Sequence, residues 1–263
     1  MKHESLTRRG LRAMSLAVVF GLSTSSAFAA EAVNPDADEV LRAMSKFIGG
    51  TKAFSVSADI SNEVITQEVQ KLQFNSTATV VLERPSRLHV ARKGGFVDAE
   101  ILLDGKTLTI FGKTVNAYAQ KEVSGTIDDA LTKLEAGLGI GLPGGDLLVA
   151  DPHAVLSSGI TSSSYHGTEV VGGIESHHLA FRTAKVDWQL WVKAGDEPLP
   201  MKYVITTKFL TGAPQYSVQF SNWNLKPAIK AGQFTFIAPK GAQKLVTIPV
   251  DETGEIRIQQ GNK

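Results

Sequence analysis

Two spacings of apolar residues organise this chain, one near 3.6 and one of 2. Val40, Leu41, Met44, Phe47 and Ile48 fall on one side of a helix. Asn34 can cap that helix, Pro35 fits its first turn, and Asp36, Asp38 and Glu39 suit the positive end of its dipole. Gly49-Gly50 stops it. From Phe54 the period becomes two. Phe54, Val56, Ala58 and Ile60 alternate with Ser55, Ser57 and Asp59. Leu72, Phe74, Ala78, Val80 and Leu82 repeat the pattern until Arg84-Pro85 closes it. Residues 88–90, 99–103, 108–111 and 117–119 read as further strands, separated by Gly94-Gly95, Asp104-Gly105 and Gly112-Lys113. Asp104-Gly105 is a pair that tight hairpins prefer. The stretch 54–120 therefore predicts an antiparallel meander.

Helical spacing returns after it. Thr126-Ile127-Asp128-Asp129 has the form of a capping box, with an acid three residues after the threonine. Ile127, Ala130, Leu131, Leu134 and Leu138 make a second one-sided stripe, and short helical pieces are expected at 146–149 and 153–156. Alternation then gives strands at 164–171, 174–183, 187–193, 201–210 and 215–223. Meander, helices, meander, each element with one apolar face, predicts a mainly β fold with α (α+β). The architecture expected is a single curved antiparallel sheet forming an unclosed barrel, with helices covering the concave face. About eight to eleven strands are expected, too many for a sheet to stay flat. One domain should span 30–249, followed by a polar tail at 250–263.

Composition narrows the compartment more than the chemistry. Lys2, Arg8, Arg9 and Arg12 precede an apolar run at 13–22, and Ala27-Phe28-Ala29 places small residues where a signal peptidase reads them. Residues 1–29 thus read as a secretory signal cleaved after Ala29. Thr7-Arg8-Arg9 hints at twin-arginine export, but Gly10-Leu11-Arg12 lacks the paired apolar residues expected next. The remaining 234 residues carry 23 basic and 25 acidic side chains. Near-neutral charge with no basic block argues against a nucleic-acid partner. The chain has no cysteine, which excludes a thiol nucleophile, a cysteine-ligated metal and a lipid-modified N-terminal cysteine. With no later apolar run near twenty residues, a product outside the cytoplasm without a transmembrane segment is expected.

Chemistry-bearing side chains concentrate at 172–192, GGIESHHLAFRTAKVDWQLWV. Neighbours on a strand point to opposite faces, so His177 shares a face with Leu179 and Phe181, and His178 with Ala180 and Arg182. Adjacent strand histidines do not grip one metal as an i, i+4 helical pair does. No metal, cofactor or catalytic set is expected. Trp188, Leu190 and Val192 alternate with Asp187, Gln189, Trp191 and Lys193 on the next strand. Phe181, Trp188, Leu190, Phe209 and Phe220 are the expected cavity-facing, ligand-binding side chains. His177 is their polar companion, and on an apolar face it must find a hydrogen-bond partner. Two alternatives stand beside this reading. One is a hydrolase pairing His177 or His178 with Asp187 or Ser176; the other is a protein-interaction module using strand edges or the Trp191 face. Residues 139–144, GIGLPG, match the dinucleotide fingerprint literally, but a helix precedes them and Pro143 lies inside. They read as a glycine-rich loop, and 137–150 as a lid over a cavity. Asp98, Glu100 and Asp104 alternate on what reads as a solvated face.

The segments NPDADEVLRAMSKFI, ERPSRLHVARKGGF, LLDGKTLTIFGK and VGGIESHHLAFRTAKVDWQLWV, with PLPMKYVITTKFLTGAPQYSVQFSNWN and Lys226-Pro227, resemble a domain-of-unknown-function family of predicted periplasmic proteins. The resemblance spans about 35–240. It implies a cysteine before the paired histidines, where this chain has Ser176. It also implies a fold similar to the periplasmic lipoprotein-carrier superfamily, whose members shield lipid-modified segments in an apolar cavity without a cofactor. The expected function is a non-enzymatic periplasmic binder or carrier of a lipid, a lipidated protein or another apolar ligand.

Overall fold

Asn34 does what its side chain equips it to do. Its Oδ1 accepts a hydrogen bond from the Ala37 N–H at 3.0 Å, and Pro35 opens helix α1 (Pro35–Gly50). The computed structural model describes residues 33–95, 97–123, 125–138 and 143–246, with no side-chain placement for 135–138. The expected signal at 1–29, Phe96, the loop 139–142 and the tail 250–263 lie outside the described residues. Ala37, Leu41, Met44 and Ile48 form the buried stripe of α1. Helix α2 (Ile127–Leu138) starts with a closed capping box: Thr126 Oγ1 accepts from Asp129 N at 3.3 Å, and Asp129 Oδ2 accepts from Thr126 N at 2.8 Å. A 3-10 turn at Gly145–Leu147 and the short helix α3 (Pro152–Leu156) follow.

The strands form one sheet. The first meander is β1 (Ala53–Ile65), β2 (Lys71–Glu83), β3 (Arg87–Gly94), β4 (Asp98–Asp104), β5 (Thr107–Gly112) and β6 (Ala117–Glu122). The second is β7 (Ser162–Val171), β8 (Ile174–Arg182), β9 (Val186–Lys193), β10 (Pro200–Thr207) and β11 (Gln215–Asn224). Antiparallel pairing of β1 with β11 joins the two. A twelfth strand, β12 (Gln243–Leu245), pairs with β6 in parallel. Among the described residues the order is β12-β6-β5-β4-β3-β2-β1-β11-β10-β9-β8-β7, with β12 and β7 at the two edges, so the curved sheet is an unclosed barrel.

The sheet is therefore wider than the expected eight to eleven strands, and mixed instead of wholly antiparallel. Gln243–Leu245 carries no alternation to read. It is placed by the segment before it, which straps the convex face. Phe234 is buried there, Phe236 packs against Phe111 and Tyr118 at 5.3 and 4.9 Å, and Gln233 Nε2 meets His89 Nδ1 at 3.0 Å.

Directly opposed residues in an antiparallel ladder share a face, so the register sorts the side chains. Phe54, Val56, Ala58 and Ile60 of β1 oppose Leu82, Val80, Ala78 and Ser76 of β2. Leu179 and Phe181 of β8 oppose Leu190 and Trp188 of β9, which oppose Tyr203 and Ile205 of β10. These rows form the concave face, and the buried stripes of α1 and α2 join them in one core. Helix α1 packs against β7, β8, β9 and α3. At Gly49 it comes so close to the chain at Ala150 that an added Cβ would clash with the Ala150 carbonyl oxygen. Only glycine fits there.

Candidate functional site

Burial falls off along the concave face. On β1 the exposed fraction rises from 0% at Phe54 to 7% at Ile60, and Asn62 and Val64 beyond it are half-buried. On β2 it rises from 0% at Leu82 to 36% at Leu72. Among the described residues, the helices thus cover one end of the concave face and leave the other partly open. Val90, Ile205, Tyr216 and Phe220 belong to this face and are only partly buried. Their apolar surface is what a hydrophobic ligand could contact.

A cation interrupts that surface. Leu88, Val90 and Arg92 alternate along β3, so Arg92 follows two apolar residues onto the concave side. Ala78 and Ala99 stand directly opposite it, and such small neighbours leave room for a long side chain to lie along the sheet. Its Nε donates to Ser76 Oγ at 2.9 Å. Among the described residues, Nη1 and Nη2 meet no acceptor and no carboxylate pairs with the group, yet neither nitrogen is sealed from solvent. Tyr216 shares the concave face, where the Arg92 charge lowers its phenol and the Asp146 charge raises it. Burial still dominates and pushes that phenol up to about 12, so it stays a neutral donor at neutral pH. Nearby, Tyr203 donates to Asp146 Oδ2 at 2.9 Å, and desolvation followed by the Asp146 charge raises its phenol well above the ordinary value.

A second arginine fastens the helical cover. Arg84, just beyond β2, donates from Nη1 to Leu148 O and from Nη2 to Val149 O, both at 2.9 Å, and from Nη2 to Ile48 O at 3.5 Å. Desolvation lowers its guanidinium from the ordinary range, with Asp128 opposing the shift. Asp128 itself accepts from Ala150 N at 3.1 Å. The described part of the expected lid, 143–150, is thus held at Asp146, Leu148, Val149 and Ala150, while 139–142 lie outside the described residues.

The expected site residues do not all meet. Phe181 and Trp188 stack at 4.0 Å on the concave face, and both are buried, as is Leu190. Phe220 shares the face and is half-buried beside Trp223 at 5.9 Å. Phe209 does not share it. It lies past the end of β10 in the turn to β11 and is 67% exposed. The alternation of Met201, Tyr203, Ile205 and Thr207 continues through Phe209 in the sequence, but pairing stops at Thr207, and side-chain period cannot report where a ladder ends.

His177 faces inward and has its partner, Tyr165 OH at 2.9 Å from Nδ1. His178 faces outward, where Nδ1 meets Glu169 Oε1 and Nε2 meets Gln189 Oε1, each at 2.9 Å. Trp191 stacks on it at 4.2 Å and donates to Glu169 Oε2 at 2.9 Å. That hydrogen bond, more than His178, holds the Glu169 carboxyl below its ordinary range. Ser176 donates to Ile174 O at 3.1 Å, and Asp187 pairs with Lys208 at 2.8 Å and Arg182 at 3.4 Å. Neither histidine is joined to Ser176 or Asp187 by a hydrogen bond or ion pair among the described residues, so the hydrolase set is not assembled. Trp191 is 6% exposed, packed with Val171, Met201 and Val204, and offers no free apolar face. Asp98 and Glu100 point outward as expected, with Lys113 at 3.9 and 2.7 Å, while Asp104 Oδ1 caps the turn at Lys106 N. Among the described residues, no cluster of three metal-ligating groups occurs.

A family model described as "Predicted periplasmic protein (DUF2092)" matches residues 37–248. No curated protein matches the sequence. Among solved structures, an uncharacterized conserved protein from Thermus thermophilus is similar with a TM-score of 0.49 at 12% identity, over 80% of this chain and 98% of that one. A LolA superfamily protein from Nitrosomonas europaea has a TM-score of 0.39 at 13% identity, over 76% and 97% of the two chains. Lipoprotein LppX from Mycobacterium tuberculosis has a TM-score of 0.38 at 14% identity, over 75% and 100%.

Proposed function

The chain belongs to this DUF2092 family of predicted periplasmic proteins, and from that premise we propose that it is a non-enzymatic binder or carrier of an apolar ligand, such as a lipid or a lipidated segment. The ligand lies against the partly open end of the concave face. The observation that carries this reading is the falling cover along β1 and β2, which leaves apolar concave-face side chains accessible where the helices stop. Burial of each methylene contributes about 0.8 kcal/mol, so an acyl chain needs no polar anchor to be retained. Phe220 is the half-buried lining residue to test, whereas Phe181, Trp188 and Leu190 support the wall from within the core. Export of the mature chain after removal of 1–29 belongs to the same reading.

The test is uptake of a fluorescent acyl probe. Phe220→Asp places a charge on the accessible wall and is expected to reduce uptake at least tenfold while the protein still folds. Unchanged uptake in a folded Phe220→Asp variant would overturn the placement of the ligand on this face.

A further inference from the structure

Arg92 is a cation on an apolar sheet face, half-buried, with a single hydrogen bond from Nε to Ser76. Its two remaining nitrogens are not sealed from solvent and meet no acceptor among the described residues. The Tyr216 hydroxyl is likewise without a hydrogen bond among the described residues and is not sealed, and both the guanidinium and the Asp146 carboxylate act on it electrostatically. A protein usually pairs a partly desolvated guanidinium with a carboxylate, because desolvation of an unpaired charge is costly. Here the pairing position is left to something else. The two Nη groups form a fork of donors complementary to a carboxylate or phosphate and repellent to a cation, and the Tyr216 hydroxyl is a further neutral donor on the same face.

Resting on the reading of the concave face as an apolar binding surface, we propose that Arg92 and Tyr216 bind the anionic head group, carboxylate or phosphate monoester, of a single-chain amphiphile whose tail lies against that face. Val90 precedes Arg92 on the same side of β3, and Ile205 stands opposite Tyr216, so apolar wall adjoins each donor. The ligand is thereby oriented, head at Arg92 and chain along the wall.

The experiment titrates the full mature chain with palmitate, hexadecyl phosphate and hexadecanol, which share a sixteen-carbon tail and differ in head group. Wild type should bind the anions at least about tenfold more tightly than the alcohol. Arg92→Gln should erase that preference by weakening the anions much more than hexadecanol; Arg92→Lys should keep part of it, and Tyr216→Phe should reduce it. The larger loss, for palmitate or for hexadecyl phosphate, identifies the head group. Equal binding of acid and alcohol by wild type overturns the head-group site while sparing the apolar reading. So does an intact preference in Arg92→Gln, whose fold is checked by its melting temperature, or in Tyr216→Phe together with Arg92→Lys should Arg92→Gln not fold. Failure of all three ligands to bind overturns the apolar reading and this site with it.

Discussion

At the scale of single residues, polar groups on the wrong side of an alternation are the informative ones. His177 is legible as such a residue, and its partner, the Tyr165 hydroxyl on the facing strand, is supplied by pairing that no local pattern reveals. Arg92 carries the same signal, since Leu88-x-Val90-x-Arg92 puts a cation in an apolar register, but its unpaired nitrogens emerge only in three dimensions. Asp38 is a simpler case. It is legible as an acid in the first turn of α1, but not as the partner of His153, which sits 2.8 Å away on α3. The His153 hydrogen bond, with a smaller contribution from Arg42, lowers the Asp38 carboxyl below its ordinary 3.8. A carboxyl lowered on folding stabilises the fold while ionised, and that contribution is lost as pH falls through the folded value. Asp38→Asn should therefore lower stability at pH 6, with the difference from wild type shrinking as pH falls below the ordinary 3.8 and through the lowered folded value. Urea denaturation across that range reads it; a difference that grows on acidification would contradict the assignment.

At the scale of elements, caps and stripes translate directly, and element ends do not. Asn34, the Thr126–Asp129 box, the stripe of α1 and the described part of the α2 stripe, Ile127, Ala130 and Leu134, stand where spacing puts them, because these signals are local. Phe209 and β12 depart from the pattern because hydrogen-bond pairing, not side-chain period, decides where a strand stops and whether a three-residue segment is one. The helical cover depends on Arg84, whose bonds reach the carbonyls of Ile48, Leu148 and Val149. Arg84→Leu leaves those carbonyls to compete for water and should cost roughly 2–4 kcal/mol in global stability. Amide exchange at 148–150 should rise in that variant; unchanged protection would show that packing alone holds the segment. Leu190, at 0% exposure, is a structural control on the same face. Leu190→Ala should cost about 2–5 kcal/mol, read by denaturant titration, with binding by the remaining folded fraction unaltered.

At the scale of the molecule, the meander–helix–meander pattern contains the architecture, because each apolar face has to be buried against the only other faces available. It does not say how completely. Periodicity assigns Phe54 and Leu72 to equivalent concave-face positions, yet one is sealed and the other 36% exposed, since cover depends on where helices end in space. That uneven cover is the basis of the functional account, and a direct measurement follows from it. Native mass spectrometry of the protein isolated from periplasm, with organic extraction of the same sample, asks whether the concave face carries a ligand. A stoichiometric apolar adduct, released on denaturation and diminished in Phe220→Asp, is the predicted result. A bare polypeptide mass, unchanged after incubation with single-chain amphiphiles, would contradict the account.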